Sequence, residues 1–263
     1  MSVVSHASSS PNYFSRLFAL IRLSAVQLVR PPSAPHRTKA LRRLQSQLLW
    51  LVVIGAAAIV TLMLTVDAIE IGLMPPRGTP SLWPVRILTD FGKDSYLLWT
   101  LAATIAVIGL AIPALPRASR MKLVRYGMRA QYLFLAVLVP VLMGDGIKWI
   151  VGRGRPFVGG KANAFNFAPF NGTEAYASLP SSHAVTACAL AFAVATIWPK
   201  ARVAMAVYAL LILASRLVLL AHHPSDVIAG GVLGVIGAVT VRYWLAMRRL
   251  GFTIRNNGEI ASR

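Results

Sequence analysis

VAMAVYALLILASRLVLLAHHPSD, residues 203–226, carries the reading on which the fold turns. The stretch stays apolar to Ala221, close to the ~20 residues a helix needs to cross a bilayer. It also sets Arg216, His222, His223 and Asp226 within eleven residues at its end. Charges at the end of an apolar helix are costly to place. The run therefore calls for a fold, and the charges call for a chemistry.

Five more runs resemble it, near 48–66, 96–115, 130–147, 184–198 and 227–247. All six are roughly 15–21 residues long, near the length of a membrane span. Hydrophobic residues make up 56% of the 263 and charged residues 13%, about half the usual globular share. A soluble protein with buried helices rarely holds six such runs. The pattern predicts an all-α, polytopic membrane bundle of six transmembrane helices over 48–247. Residues 1–47 form an N-terminal cytoplasmic segment and 248–263 a cytoplasmic tail. The first run begins too deep for a cleaved signal peptide and reads as a retained span. Before it, residues 12–30 have a helical pattern, with Phe14, Leu17, Phe18, Ile21, Ala25 and Leu28 on one face and Arg16, Arg22 and Gln27 off it. This fits an amphipathic helix in the membrane interface, or one packed on the bundle. The Ser-rich residues 1–11 read as disordered, and the prolines of 30–37 break the helix.

The net charge is +19, from 27 Lys and Arg against eight Asp and Glu. Its distribution argues against nucleic acid. Arg16, Arg22, Arg30, Arg37, Lys39, Arg42 and Arg43 precede the first run. Arg117, Arg120, Lys122, Arg125 and Arg129 lie between runs two and three, and Lys200 and Arg202 between four and five. Arg242, Arg248, Arg249, Arg255 and Arg263 sit at or beyond the end of the sixth. The alternate loop 67–95 holds Asp67, Glu70, Asp90 and Asp94 against three cations. The positive-inside rule then puts both termini in the cytoplasm, and anionic headgroups account for most of the basic charge. Cys188 is the single cysteine, so no intrachain disulfide forms.

The loop 148–183 breaks this pattern, with Lys148, Arg153, Arg155 and Lys161 on the side that should be poor in cations. Alternation of the spans brings KWIVGRGRP (148–156), PSSH (180–183) and SRLVLLAHHPSD (215–226) to one outer surface. Lys148, Arg155 and Arg216 would attract phosphate there, and an arginine fork matches phosphate oxygens in pairs. Pro180 with Ser181 and Ser182 suits a helix start, whose free N–H groups favour an anion. Pro224 suits the first turn of the last helix, with Asp226 placed to hold an imidazole in one tautomer. Plainer readings exist. Lys148 could anchor at the interface or pair with Asp145, Ser181 could serve only as a cap, and His183, His222, His223 and Asp226 could bind a metal. Arg153 and Lys161 read as loop charges. Arg216 and His222 lie about 600° apart around a helix, so spacing alone does not bring them together.

These three segments resemble the signature of the type 2 phosphatidic acid phosphatase superfamily, membrane lipid phosphatases related to glucose-6-phosphatase and vanadium haloperoxidases. The family pattern K-x6-R-P, P-S-G-H and S-R-x5-H-x3-D appears as Lys148 to Arg155-Pro156, Pro180-Ser181-Ser182-His183, and Ser215-Arg216 through His222 to Asp226. The resemblance covers roughly residues 130 to 240. It implies that His222 is a nucleophile forming a phosphohistidine, that His183 is the general acid and then base, and that Asp226 orients His222. Lys148, Arg155, Ser181 and Arg216 would hold the phosphoryl oxygens, with no metal or other cofactor. Ser182 replaces the family glycine, so either its φ is negative or the loop has shifted. His223 receives no role.

The expected function is hydrolysis of a lipid phosphate or diphosphate at the periplasmic face of a bacterial inner membrane. Polyprenyl diphosphate, phosphatidylglycerophosphate, phosphatidic acid and lipid A phosphates are candidate substrates, and the aromatic loop 157–178 is a candidate lid. Alternatives are transfer of the phosphoryl group to a lipid acceptor, a lipid-phosphate binder or transporter without turnover, and a metal-dependent hydrolase.

Overall fold

The computed structural model describes residues 12–32, 35, 37–160 and 162–262. The expected disorder of residues 1–11, part of the proline break, the loop charge Lys161 and the terminal Arg263 lie outside these residues. Nine α-helices and a short hairpin are described. Helix α1, Tyr13–Val29, starts at Asn12, whose side chain accepts the Ser15 amide at 2.8 Å as an N-cap should. Then come α2 (Arg37–Thr65), α3 (Asp67–Leu73), α4 (Trp83–Asp90), α5 (Asp94–Ala111), α6 (Arg117–Val151), α7 (Ser182–Ile197), α8 (Arg202–Val218) and α9 (Pro224–Met247). The hairpin pairs β1 (Phe252–Ile254) with β2 (Ile260–Ser262), antiparallel. The protein is an all-α polytopic bundle.

Among the described residues, five helical segments are long and apolar enough to cross a membrane: Arg37–Thr65, Pro80–Ala114, Arg117–Val151, Pro199–Val218 and Pro224–Met247. The sixth expected span is α7, with 16 residues. At 1.5 Å per residue it is about 24 Å long, short of the ~30 Å hydrocarbon layer. Its place explains the length: α7 packs on α6, α8 and α9 in the middle of the bundle. Ala184, Val185, Ala187, Ala189 and Ala193 are fully enclosed. The expected loop 67–95 also differs, since it folds into α3 and α4.

Glycine lets α9 lie against α7 backbone to backbone. A Cβ on Gly230 would stand 2.5 Å from the Ser181 carbonyl oxygen, and one on Gly234 would stand 2.3 Å from that of Val185. The Ser181 amide also donates to the Asp226 carbonyl at 3.0 Å. The first turns of α7 and α9 are thereby locked together, which places Ser182 and His183 beside the loop that carries His222.

Helix α1 has no buried residue. Phe14, Phe18, Ile21, Val26 and Val29 stay uncovered, while Tyr13 donates to the Leu110 carbonyl at 2.7 Å. It thus rests on the bundle by an edge, with an apolar face left free. The chain after 248, expected as a plain tail, instead returns as the hairpin. Phe252 is buried against Tyr132, with ring centroids 4.8 Å apart and edge to face.

Gly234→Leu should force α7 from α9 and destabilise the detergent-solubilised protein by about 1–3 kcal/mol or more. Gly109→Ala, where an added Cβ meets nothing within 4 Å, should leave the melting temperature near that of the parent. Thermal unfolding followed by size-exclusion chromatography checks the pair, and equal melting of the Gly234 variant and the parent would contradict the close packing.

Candidate active site

The C-terminal end of α6, the start of α7, the end of α8 and the start of α9 meet at one end of the bundle. A cleft of about 420 Å³ opens there. Lys148, Arg155, Ser182, His183, Arg216 and His222 all line it, with Asp145, Trp149, Glu174 and Tyr176 among the other walls. Ser181 and Asp226 lie beneath it and are fully buried.

Each group arrives by a local cause. Helix α6 ends where Gly152 takes a left-handed φ of 56°, the usual glycine stop. A Cβ there would fall 1.9 Å from the Ala168 carbonyl oxygen. The Ala168 amide bonds the Gly152 carbonyl at 2.7 Å, and the Gly154 amide bonds that of Asn166 at 2.7 Å. This fold-back sends Arg153 inward and Arg155 to the cleft. Ser182 is the first residue of α7 and is not among the residues with positive φ. The departure from glycine therefore needs no strained backbone. Its hydroxyl accepts a hydrogen bond from Lys148 Nζ, which also pairs with Asp145 at 2.8 Å.

Arg216 and His222 meet because the chain reverses after α8. Leu220 takes a φ of 47°, and the Ala221 amide returns to the Arg216 carbonyl at 3.1 Å. The 600° of helix that would separate the two residues is never built. Arg216 Nη1 donates to Thr89 Oγ1 at 2.7 Å, so α4 holds the arginine in place.

His222 is buried, and its Nδ1 lies 2.8 Å from the Ser178 carbonyl oxygen. A carbonyl only accepts, so Nδ1 carries the proton and Nε2 is the nitrogen left unprotonated. Burial, reinforced by Arg216 and Arg155, holds this imidazole well below the usual histidine range. Both effects favour the neutral form of the ring.

Asp226 does not touch His222 as expected. Its Oδ1 accepts from Arg153 Nη1 at 2.6 Å, and its Oδ2 accepts from Ser178 Oγ at 2.6 Å and from the His223 amide at 3.0 Å. Both oxygens are engaged, and the link to His222 runs through Ser178. Arg153, expected as a loop charge, is fully buried and central. Its Nη2 pairs with Asp67 Oδ2 at 2.8 Å, Nη1 also meets Ser225 Oγ at 2.6 Å, and Nε and Nη2 reach the Ala164 carbonyl at 3.2 and 2.7 Å. All five guanidinium donors are thus satisfied. The sequence signal for this cluster was present but unread: an arginine that topology did not ask for, and an acid pair, Asp67 and Glu70, just past the first span. Thr89 had no such signal.

One cation between two carboxylates leaves net negative charge. Burial, then the neighbouring Asp67 and Asp226 charges, push the nearby Glu70 carboxyl up to about 7. Neither Glu70 oxygen has a hydrogen-bond partner. Among the described residues, no group of three or more His, Cys, Asp or Glu side chains is arranged to hold a metal ion.

A family profile described as the PAP2 superfamily matches residues 129–250. The chain is 33% identical over 183 residues to a protein named lipid A 1-phosphatase from Rhizobium johnstonii, covering 66% of this chain and 75% of that protein. A protein of the same name from Rhizobium etli is 33% identical over 151 residues, 57% of this chain and 65% of the relative. No solved structure gives a significant match.

Arg153→Met should leave two buried carboxylates uncompensated and cost about 3–5 kcal/mol. Adding Asp67→Asn and Asp226→Asn should restore much of it, as read by thermal unfolding. Glu70 gives a pH signature. Its folded value lies above the ordinary 4.5, so ionising it opposes folding as pH rises from about 4.5 to about 7. Glu70→Gln should melt above the parent at pH 8 and with it at pH 4; equal melting at both would show that Glu70 is not held protonated.

Proposed function

We propose that this chain, which belongs to the PAP2 superfamily, is a bacterial inner-membrane lipid phosphatase that removes a phosphate monoester from a lipid through a phosphohistidine. The observation that carries this is the neutral His222, with Nδ1 held by a carbonyl and Nε2 free, in a cleft shared with Lys148, Arg155 and Arg216. The two relatives named lipid A 1-phosphatase support a glycolipid phosphate of the lipid A class as the first substrate to try.

The chemistry follows from these positions. The lipid phosphate enters with its oxygens among Lys148, Arg155 and Arg216, which neutralise the charge that grows on them. Ser182 and the first-turn N–H groups of α7 add donors at a helix N-terminus, and the Ser181 hydroxyl, buried without a partner, lies just below. His222 Nε2 attacks phosphorus as the bond to the lipid oxygen breaks. The negative charge of the bound phosphate favours a protonated His183, which gives its proton to that oxygen as the lipid alcohol leaves. His183 then takes a proton from water, whose oxygen attacks the phosphohistidine and frees inorganic phosphate. Asp226 acts one step back, as a positioning residue: it holds Ser178, whose carbonyl holds His222.

Two carboxylates stand in the phosphate's way. Glu174, almost wholly exposed, pairs with Arg155 at 2.7 Å, and Asp145 pairs with Lys148. Bound phosphate would replace both partners. With the cleft on the end away from most of the arginines, the positive-inside rule supports a periplasmic site and cytoplasmic termini.

Purified protein should release inorganic phosphate from lipid A 1-phosphate, and less from phosphatidic acid, phosphatidylglycerophosphate or polyprenyl diphosphate. Release should persist in chelator and fall by at least about 10³-fold in His222→Ala, as expected when a covalent nucleophile is lost. Undiminished release by that variant would overturn the phosphohistidine, and release confined to another lipid would overturn the substrate.

A further inference from the structure

We propose that the end of the bundle opposite the cleft holds a binding site for an anionic phospholipid, separate from any phosphate that is hydrolysed. A groove of about 680 Å³ lies there between α2, α7, α9 and the hairpin. Arg43, Arg202, Arg242 and Arg255 line it. The one acid on its wall, among the described residues, is Glu259, already paired with Arg255 at 3.1 Å. No described carboxylate pairs with Arg43, Arg202 or Arg242. Arg242 lies half-buried over the Phe192 ring, 5.1 Å from its centroid, and its Nε has no partner. Four arginines thus line a concavity whose one described carboxylate, Glu259, is paired with Arg255.

The shape identifies the source of the missing anion. A second groove of about 480 Å³ adjoins the first, lined by Trp50, Leu51, Phe192, Val235 and Val239 with Arg242. The two share Gln47, Phe192, Val239 and Arg242. Trp50 follows Arg43 by seven residues on α2, and Val235 precedes Arg242 by seven on α9. Each pair is therefore separated by about 10 Å along its helix axis. Cations sit at the helix ends, and an apolar trough continues from them toward the middle of the membrane. A phosphate headgroup with an attached acyl chain fits both halves, whereas free phosphate has no use for the trough. Arginines that merely anchor a helix snorkel outward along its convex side. These line one groove from α2, α9, the start of α8 and the hairpin, as in the basic pockets that take lipid headgroups. No residue of this site belongs to the catalytic cleft.

Native mass spectrometry of the full chain in neutral detergent tests this without using catalysis, so it stands or falls apart from the phosphatase reading. The probes are dioleoyl phosphatidylglycerol and dioleoyl phosphatidylcholine. Phosphatidylglycerol should bind preferentially. Arg43→Gln with Arg242→Gln should weaken it by about tenfold or more, the equivalent of losing a charge-assisted contact, and leave phosphatidylcholine unchanged. Arg43 is exposed on α2, so Arg43→Gln alone should fold and still weaken binding. Equal binding of the two lipids by the parent protein would overturn the site, as would undiminished phosphatidylglycerol binding by the variants. Glycerol phosphate competing as well as the whole lipid would overturn the role of the trough.

Discussion

The Arg153 guanidinium, enclosed between Asp67 and Asp226, is the interaction on which the active end of the molecule depends. An isolated charge in so dry a place would be prohibitively costly, and a half-made cluster nearly so. The full set is made only when three parts of the chain come together: α3 after the first span, the loop that follows α6, and the start of α9. The cluster therefore ties together segments that sequence separates by 86 and 73 residues. Through Asp226 and Ser178 it also sets the ring of His222. One ion cluster thus serves both the assembly of this end of the fold and, through Ser178, the tautomer of His222.

Around this cluster the bundle is built for closeness, which bulk apolar packing alone would not give. Gly230 and Gly234 bring the α7 backbone against α9, and the short α7 is enclosed on several sides. Small residues at a helix interface let backbones approach in a membrane, where burial by itself gives helices little reason to associate. The result is a rigid seat for Ser182 and His183. The less buried groups, Lys148, Arg155 and Glu174, form the outer wall of the cleft. The two ends of the bundle then differ in kind. One gathers cations and two histidines around a cleft. The other lines an apolar trough with arginines.

Much of this was open to reading from the residues. The apolar runs identified an all-α membrane bundle, and the spacing of Lys148 to Arg155, Ser181 to His183 and Arg216 to Asp226 named side chains that do gather at one end. Ser182, read as a departure with two possible outcomes, takes the one that leaves the backbone unstrained. The weaker readings concerned partners. Arg153 looks like any loop cation in a string, because a sequence shows no burial. Asp226 looks free to hold an imidazole, because a sequence does not show that Arg153, Ser178 and a backbone amide reach it first. Thr89 has no signature, since a threonine beside an arginine in space is only a threonine in the chain. The tail after 248 is too short and mixed in pattern to announce a hairpin that packs on Tyr132.

Composition and periodicity by themselves determined the class of the fold, and motif spacing, with the family resemblance it carries, named Lys148, Arg155, Ser182, His183, Arg216 and His222, which line the cleft. Those properties follow from hydrophobic length and from local spacing, which any stretch of chain carries within itself. Tertiary structure alone decided that α7 is enclosed by α6, α8 and α9, that the chain reverses at Leu220 to bring Arg216 beside His222, and that a carbonyl rather than a carboxylate holds the imidazole. Each of these turns on which group wins a competition for one hydrogen-bonding partner or one volume of space. That competition is settled among residues far apart in the chain, so no local pattern records its outcome.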